Sequence, residues 1–171
     1  ILALALIFAY IVLRFRKIGY AMGATLALFH DVMMVLVFYS VCRHFLPFSL
    51  EIDQNFIAAI LTIVGYSVND TVVIFDRIRE YLSGRKNAPI EGTINDALNS
   101  TLGRSINTSM TVLLTLLVMF FFGSEDIKGF CFAMIVGVIS GVYSTLFIAT
   151  PIVIDMRRLF GNKNSEAVEK A

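Results

Sequence analysis

The chain has 171 residues, of which 57% are hydrophobic and only 16% are charged, and its formal net charge is +1. Soluble domains are typically about 45–50% apolar and about 25% charged, so this composition excludes an ordinary soluble domain. The nearly neutral charge gives no indication of a nucleic-acid partner, and we expect none.

Long stretches without charged residues divide the chain into segments that we predict to be membrane helices. A transmembrane helix needs about 20 mostly apolar residues to cross about 30 Å of hydrocarbon. At about 1.5 Å per residue the first stretch reaches only about 20 Å, so we expect a truncated helix there. The sequence therefore predicts an all-α, polytopic membrane helix bundle of about five helices, which cover residues 1–13, 18–42, 54–80, 103–122 and 128–154.

Lys and Arg residues are concentrated in alternate connections between these helices. Twelve of the 14 lie within residues 14–17, 77–104 and 157–170, and only Arg43 and Lys128 lie in the other connections. Because basic connections stay in the cytoplasm, the pattern places these three regions and the C-terminus on the cytoplasmic side. Residues 161–171 are polar, and we expect a cytoplasmic tail without regular structure there.

The long connection between the third and fourth membrane helices contains a further predicted helix, over residues 89–102. Pro89 suits the first turn of a helix. The residues that then recur at helical spacing are Ile90, Ile94, Ala97, Leu98 and Thr101. We interpret this segment as an amphipathic helix on the cytoplasmic membrane surface, with a solvated helical linker as the alternative because its apolar face is small.

The last predicted helix has a small residue at every fourth position: Ala133, Gly137, Gly141, Thr145 and Ala149. Small side chains let two helix backbones approach closely in lipid, where packing drives helix association. We therefore predict a packed face around Gly137 and Gly141. A glycine pair that is merely tolerated in a membrane helix is the alternative.

The two cysteines, Cys42 and Cys131, lie at helix ends that the charge pattern places on the outer side. A disulfide is conceivable on an oxidising side, but two free thiols are favoured because nothing else indicates a redox site. The sequence shows no metal-ligand spacing, phosphate-binding glycine loop or nucleophile triad. We therefore expect no cofactor and no enzymatic activity.

Asp70 is an acidic residue inside the third predicted helix. The charged residues from Asp76 to Glu80 mark the point where this helix leaves the membrane, and Asp70 lies six residues earlier, about 9 Å deeper. Acidic residues at such depth are costly, and they usually face a bundle interior or a water-filled path. Asp70 is therefore the first candidate functional residue. The alternative is a structural aspartate bonded by neighbouring Ser or Thr hydroxyl groups.

Arg104 is the best candidate partner for Asp70. It opens the fourth membrane helix from the same side, and its long side chain can reach about 6 Å further into the membrane. We predict an ion pair between these two residues, with an interface-anchoring cation as the alternative for Arg104. The residues expected to support the site are Asn69, Thr108, Ser109 and Asp31, the last being a second acid without an evident basic partner.

A protonatable acid beside a cation suits proton coupling. Burial favours the neutral form of a carboxyl group, whereas a nearby cation favours its charged form. Protonation would weaken the predicted pair and let the helices repack, and loss of the proton to the other side would restore it. The predicted pair thus meets the minimum requirement of a transport cycle.

The residues around Asp70 also carry a family resemblance. Residues 65–80, with Asn69-Asp70-Thr71 at their centre, resemble the signature of the SecD/SecF family of protein-export membrane proteins. The resemblance is to the SecF version of the signature, because SecD has Asp-Ala-Asn at these three positions. Further matches lie at residues 28–31, 104–109, 122–123, 129–130 and 137–144, and the resemblance covers roughly residues 1–155.

The resemblance implies membership of the RND transporter superfamily and a place in the bacterial inner membrane. Such proteins use the proton gradient, or in some marine bacteria the sodium gradient, to help pull exported proteins across the membrane. The implied partners are SecD, the SecYEG translocon, YajC, YidC, the exported preprotein and membrane lipid. Asp70 and Arg104 match the positions of the family's proton relay.

The SecF version of the family normally has six membrane helices, with a periplasmic domain between the first two. We expect this chain to lack the first helix and that domain, so export by the chain alone is not expected. Two alternatives to gradient-driven export stay open. One is another proton-coupled exporter of the RND type, and the other is a passive scaffold that stabilises the translocon without ion coupling.

Overall fold

The computed structural model describes residues 2–46, 50–85 and 88–169, with side chains for residues 5–46, 50–85 and 88–159. All regular secondary structure in these ranges is helical, which confirms the predicted all-α class. A π-helical turn, Thr145–Ala149, joins the last two α-helices without a break. The α-helices are α1 (Leu2–Phe15), α2 (Ile18–Cys42), α3 (Gln54–Gly84), α4 (Ile90–Phe122), α5 (Glu125–Ser144) and α6 (Thr150–Glu169).

Within the described ranges, four helices are long and apolar enough to cross a membrane. They are α2, α3, α4 and the continuous helix Glu125–Leu159, while the apolar part of α1, Ala5–Phe15, is shorter. Large apolar side chains point outward along these helices, for example Leu61, Leu114 and Phe147. Extended exposed apolar surface of this kind is typical of contact with lipid. These features confirm a membrane helix bundle whose first helix is short.

Polar residues set several helix ends. The side chain of Asp53 accepts a hydrogen bond from the amide of Phe56 at 2.8 Å, which caps the first turn of α3. Arg16 has a left-handed backbone conformation, with φ of 52°, and lets the chain turn from α1 into α2. Glu125 and Asp126 occupy the first turn of α5, where negative charge interacts favourably with the helix dipole.

α4 runs without a break across the predicted boundary at residue 103, so the two helices expected on either side of it are one helix. Ile94 and Ala97 of α4 are buried in the same cluster as Ile78 of α3. The face that the sequence assigned to the membrane surface therefore packs against α3. The predicted boundary is wrong because α3 already covers this apolar face. The chain therefore does not have to bend at residue 103 to place the face against lipid.

Two helices are longer than the sequence predicts. α3 continues to Gly84 instead of ending at residue 80, and α6 continues to Glu169. The expectation of no regular structure after Phe160 is therefore wrong for residues 161–169, which include Lys, Glu and Ala, all good helix formers. Lys86 and Lys170, which the charge pattern included, lie outside the described residues.

The interior consists of two apolar clusters with polar side chains between them. One cluster lies toward the end that holds most of the Lys and Arg residues, called here the basic end, and contains Phe15, Tyr20 and Phe75. The other lies toward the opposite end and contains Tyr39 and Phe56. The buried or half-buried polar residues between the clusters are called here the polar layer: Asp31, Ser67, Asp70, Thr71, Ser105, Ser140 and Thr145.

Small residues bring α5 and α6 close to α2 and α3. A methyl group on Gly23 of α2 would lie 2.7 Å from the carbonyl oxygen of Ala149. On the other side, Gly137 of α5 lies directly against Ile63 of α3. The five small residues at every fourth position of this segment are all buried. Because van der Waals packing drives helix association in lipid, these close approaches fix the positions of the polar layer.

Candidate functional site

Asp70 lies on α3 in the polar layer and uses only one of its two carboxylate oxygens. Its Oδ1 accepts a hydrogen bond from Ser105 Oγ of α4 at 2.7 Å. Its Oδ2 is buried, and no hydrogen-bond donor contacts it among the described residues. Leaving a buried polar atom without a partner costs about 1–3 kcal/mol, and more when the group is charged. Oδ2 of Asp70 is therefore a buried polar atom that the described part of the chain leaves without a hydrogen bond.

The predicted ion pair between Asp70 and Arg104 is not formed. Arg104 is exposed and makes no ion pair among the described residues. Successive residues of an α-helix point about 100° apart, and here Ser105 faces α3 while Arg104 faces outward. The prediction that α3 and α4 are neighbours is correct, but the residue that contacts Asp70 is the one after Arg104. The hydroxyl contact corresponds to the alternative interpretation of Asp70.

Asp31 of α2 is the most deeply buried acid in the described part of the chain, with 1% of its surface exposed. Its Oδ2 accepts a hydrogen bond from Ser67 Oγ of α3 at 2.7 Å, and its Oδ1 accepts one from Ser140 Oγ of α5 at 2.8 Å. The ring nitrogen Nδ1 of His30 lies 3.5 Å from the same Oδ1. Asp31 therefore connects three membrane helices through one carboxylate.

The π-helical turn after α5 also belongs to the polar layer. The hydroxyl groups of Thr71 on α3 and Thr145, the first residue of the turn, lie 2.9 Å apart. Thr145 Oγ1 lies 2.9 Å from the carbonyl oxygen of Gly141. Thr150 Oγ1 in turn donates to the carbonyl oxygen of Thr145 at 3.0 Å. Single π-helical turns inside α-helices often mark functional sites, and this one lies opposite the residue that follows Asp70.

The residues predicted to support the site take different positions. Ser109 is buried, and its Oγ lies 3.0 Å from the hydroxyl oxygen of Tyr66, a second polar contact between α4 and α3. Asn69 and Thr108 are exposed, and the Thr108 hydroxyl donates to the carbonyl oxygen of Arg104 in its own helix. Ser109 therefore lies at the interface with α3, whereas neither Asn69 nor Thr108 forms a side-chain hydrogen bond with Asp70 among the described residues.

Gly141 lies beside the Asp31 contacts. A methyl group on its Cα would lie 3.4 Å from Ser67 Oγ and 3.7 Å from Asp31 Oδ2, in ordinary van der Waals contact with both. The backbone of α5 therefore approaches the carboxylate closely, which lets Ser140, one residue earlier, reach Asp31. The sequence pattern selected Gly141 for helix packing, and the structure places it at the edge of the buried acid.

Several ion pairs lie at the basic end, outside the polar layer, and one, between Lys128 and Glu125, lies at the opposite end. Asp76, the acid that follows Asp70 on α3, pairs with Arg14 of α1 at 2.9 Å. Arg85 pairs with Asp96 at 2.5 Å. Further contacts join Arg77 to Glu80 and Arg158 to Glu91. Asp70 and Asp31 differ from these surface acids because hydroxyl groups, rather than Lys or Arg side chains, bind them.

The sequence predicts both acids as site residues, but not the three serines that bind them. Ser67 precedes Asp70 by three residues, and Ser140 lies in the last membrane helix, so neither is near Asp31 in sequence. Helical spacing could have placed Ser67 close to the face of Asp70. Nothing in the sequence pairs α2 with α3 and α5, so the contacts of Asp31 required the tertiary structure.

Other groups that could bind a cofactor or metal are sparse. Cys42 is half-buried, Cys131 is buried, and both are free thiols. Within the ranges that carry described side chains, no three His, Cys, Asp or Glu residues converge on a point where a metal ion could bind. The polar layer instead holds two acids, Asp31 and Asp70, whose hydrogen-bond partners are mostly hydroxyl groups.

Comparison with known proteins relates this arrangement to one family. The family model for the protein export membrane protein SecD/SecF, C-terminal, matches residues 1–159. The chain is 54% identical over 155 residues to protein translocase subunit SecF of Rhodothermus marinus and 46% identical over 156 residues to that of Petrotoga mobilis. These alignments cover 91% of this chain but 50% and 49% of the relatives, so the chain spans about half of their length.

Two solved structures share the helix arrangement. A crystal structure of SecDF in its super-membrane-facing form matches with a TM-score of 0.81 and 35% identity, covering 98% of this chain and 22% of that chain. A crystal structure of SecDF from Thermus thermophilus, described as a translocon-associated membrane protein, matches with a TM-score of 0.80 and 37% identity. The second match covers 91% of this chain and 21% of that chain.

Proposed function

The chain belongs to the SecD/SecF family of protein-export membrane proteins, and from this premise we propose that it couples a proton gradient to protein export. Asp70 is the group that binds and releases the proton. The chain acts within a larger subunit, because relatives named as translocase subunits are about twice as long. The exported preprotein is the substrate, and no chemical conversion of it takes place at this site.

The observation that carries this proposal is the unequal bonding of the two Asp70 oxygens. Ser105 donates to Oδ1 at 2.7 Å, while Oδ2 is buried without a donor among the described residues. A carboxyl group in this environment is stable when neutral and becomes costly when it loses its proton. Loss of the proton from Asp70 therefore requires a change in the contacts of α3. Such a change in helix packing is what couples proton movement to export in this proposal.

Arg104 is the group that compensates the charged state. It precedes Ser105 on α4, and in this structure its side chain is exposed. A rotation of α4 about its axis would move Ser105 away from Asp70 and bring Arg104 toward it, where a charge-assisted hydrogen bond could form. In this proposal the contact between Ser105 and Asp70 belongs to the protonated state, and an Asp70–Arg104 ion pair belongs to the deprotonated state.

The partners follow from the family and the distribution of charge. We infer that the chain associates with SecD, as the solved SecDF structures indicate for their own chains. SecYEG is the channel that it serves, with YajC and YidC as further components. The basic end lies in the cytoplasm, because Arg and Lys residues between membrane helices are retained on that side. The membrane is the bacterial inner membrane.

The test compares two acids on the same helix in the complete subunit, assembled with its partners. Asp70→Asn removes the proton-binding group, whereas Asp76→Asn removes an exposed acid that pairs with Arg14. Export of a reporter preprotein is measured with an intact proton gradient and after an uncoupler collapses it. We expect Asp70→Asn to reduce export to the level seen with the uncoupler, and Asp76→Asn to retain the response.

The passive scaffold predicts a different result. If gradient-dependent export in Asp70→Asn equals that of the unmodified protein, ion coupling at Asp70 is wrong and the scaffold is favoured. The amount of assembled complex is measured in the same membranes, so that loss of assembly is not mistaken for loss of coupling. Asp70→Asn keeps the size and the Ser105 contact of the side chain, which makes assembly the expected outcome.

A further inference from the structure

Asp31 is a buried acid that the proposed function leaves without a role. It is 1% exposed, and no Lys or Arg side chain contacts it in the described part of the chain. A charged carboxylate buried without a cation carries a desolvation penalty of several kcal/mol. A residue whose only purpose was to bond two serines would avoid this penalty as an amide, so the carboxyl group calls for a functional explanation.

The partners of Asp31 suit both of its charge states. Ser67 and Ser140 bind it through hydroxyl groups, which can donate a hydrogen bond to a carboxylate or accept one from a carboxylic acid. The His30 ring, at 3.5 Å, can likewise donate or accept. Backbone amides or guanidinium groups would instead hold the acid in its charged form. The site therefore fits an acid that gains and loses a proton.

A groove between α2 and α5, on the outside of the bundle, reaches two residues that contact this acid. Its volume is about 290 Å³. Two of its lining residues, His30 and Ser140, also contact Asp31, and the side chain of His30 is 29% exposed. The remaining lining residues are mainly apolar: Met34, Phe38, Val136, Ile139 and Tyr143. Because Met34 and Phe38 follow Asp31 along α2, the groove extends from the polar layer toward the end opposite the basic end.

We propose that Asp31 is a second proton-binding site, which exchanges its proton through His30 at this groove. A proton passes from Nδ1 of a protonated His30 to Oδ1 of the charged carboxylate, which leaves both groups neutral. Release follows the reverse path: the carboxylic acid returns its proton to Nδ1 of neutral His30, Asp31 becomes charged again, and protonated His30 gives up a proton at the groove. The place of this step in an export cycle rests on the proposed function, whereas proton binding by Asp31 does not.

The titratable surroundings of Asp31 are few, which makes the assignment testable. α2 contributes His30, and α5 contributes Tyr143, whose ring centroid lies 6.2 Å from that of His30. On α3 the titratable residues nearest to Ser67 along the helix are Tyr66, directly before it, and Asp70, three positions after it. The hydroxyl oxygen of Tyr66 lies 3.0 Å from Ser109 Oγ of α4. The π-helical turn contributes none. A change in the titration of Asp31 can therefore be traced with single variants of four residues: His30, Tyr66, Asp70 and Tyr143.

The two acids are linked by α3, because Asp31 contacts this helix and Asp70 is part of it. Ser67 binds Asp31, and Asp70 lies about 4.5 Å further along the same helix and binds Ser105 of α4. Protonation of Asp31 weakens the hydrogen bond from Ser67, because hydrogen bonds to a charged carboxylate are roughly twice as strong as those between neutral groups. α3 is then less tightly held to α2 and α5, and its contact with α4 is free to change.

The test is infrared difference spectroscopy of the complete subunit in lipid vesicles, titrated between about pH 5 and pH 9. The carbonyl stretch of a protonated carboxyl group reports each buried acid. We expect two such bands in the unmodified protein, of which Asp70→Asn removes one and Asp31→Asn removes the other. His30→Gln shifts the midpoint of the Asp31 band, whereas Met34→Leu, a change in the same groove without a titratable group, does not.

Three outcomes would overturn the proposal. The first is that no band disappears in Asp31→Asn, and the second is that its band does not titrate in this range. The third is that sodium abolishes the band at constant pH, which would assign the site to a metal cation. If Asp31→Asn fails to assemble, Ser67→Ala retains the acid and must shift the midpoint of its band. Unchanged export in Asp70→Asn would contradict the proposed function but leave the Asp31 band in place.

Discussion

Gly137 of α5 and Ile63 of α3 are in such close contact that no side chain fits between them. A methyl group on Gly137 would lie 2.4 Å from Cδ1 and 2.5 Å from Cγ1 of Ile63. The contact lies one turn beyond Gly141 and Ser67, which border the Asp31 carboxylate. The separation of α3 and α5 at this point therefore determines whether the serines can reach Asp31.

Gly137→Ala is expected to lower the free energy of unfolding by about 1–3 kcal/mol, because overpacking forces Ile63 or the helix backbone to move. Gly65→Ala on α3 is the matched control, since nothing lies within 4 Å of the methyl group that it adds. Alanine favours helix over glycine, so this control is expected to retain or raise stability. The measurement is denaturant unfolding in micelles, followed by circular dichroism.

The double variant Gly137→Ala/Ile63→Ala tests the assigned contact directly. Ile63→Ala removes the atoms that the new methyl group meets, so the two changes together should cost less than the sum of their separate effects. Additive costs would show that Ile63 is not the neighbour that limits Gly137. The packing prediction would then be wrong, even if Gly137→Ala alone is destabilising.

Much of the fold could be predicted because the membrane imposes simple rules on the sequence. Uncharged stretches identified α2 closely, and the start of α3 and the end of α4 follow from the same pattern. The boundary at residue 103 failed because the amphipathic face of residues 90–101 packs against α3, and hydropathy does not distinguish protein from lipid as the covering surface.

The candidate site was predictable only in part. Asp70 and Asp31 were identifiable because acids inside membrane helices are rare and costly. The predicted pairing of Asp70 with Arg104 is wrong, and the contact residue is Ser105, one position later. Sequence position gives the depth of a residue in the membrane, but it does not give the direction in which its side chain points around the helix axis. The serine partners of Asp31 lie on α3 and α5. They could not be predicted, because no local sequence pattern shows which helices pack against α2.

Ser105→Ala is expected to move the dependence of export on pH. The change removes the hydrogen bond to Asp70 Oδ1, which is the described contact of that carboxyl group. Because a donor stabilises the charged carboxylate more than the neutral acid, its loss favours the protonated form. Release of the proton then requires a more alkaline cytoplasm, so gradient-dependent export should fall at neutral pH and recover as the pH rises. The assay is export into inverted membrane vesicles over a pH series.

Thr108→Ala is the control for this experiment. Thr108 is exposed one turn along the same helix, and its hydroxyl bonds the carbonyl oxygen of Arg104 in α4 itself. We expect its pH profile to match that of the unmodified protein. A shift of equal size in both variants would mean that hydroxyl loss perturbs α4 in general, which contradicts a specific role for Ser105.

Arg104→Gln is expected to leave the stability of the protein nearly unchanged but to abolish the dependence of export on the proton gradient. Arg104 is exposed and unpaired among the described residues, and surface substitutions of that kind usually change stability by less than about 0.5 kcal/mol. If Arg104 compensates Asp70 only in the deprotonated state, the variant folds normally and loses gradient-dependent export. A large loss of stability with normal coupling would indicate a static ion pair instead. Unfolding in micelles and vesicle export supply the two measurements.

The Arg14–Asp76 ion pair is expected to be weak. Its partners are 47% and 39% exposed, and exposed pairs typically contribute about 0.2–1 kcal/mol. A double-mutant cycle with Arg14→Gln and Asp76→Asn should yield a coupling energy in that range, and added salt should reduce it. A coupling energy well above 1 kcal/mol, on the order of that of a buried pair, would contradict the exposed geometry. This weakness is also why Asp76→Asn serves as a control for Asp70→Asn.

The two cysteines are expected to react with a maleimide at very different rates. Cys131 is fully buried, whereas Cys42 is half-buried near the end of α2. A buried thiol reacts only after local opening, so Cys131 should be modified at least about tenfold more slowly than Cys42 in the folded protein. Mass spectrometry of Cys42→Ser and Cys131→Ala in micelles measures each rate separately, and denaturant should equalise them. Equal rates before denaturation would show that the start of α5 opens readily, and a mass two hydrogens lower in the unmodified protein would reveal a disulfide instead of two free thiols.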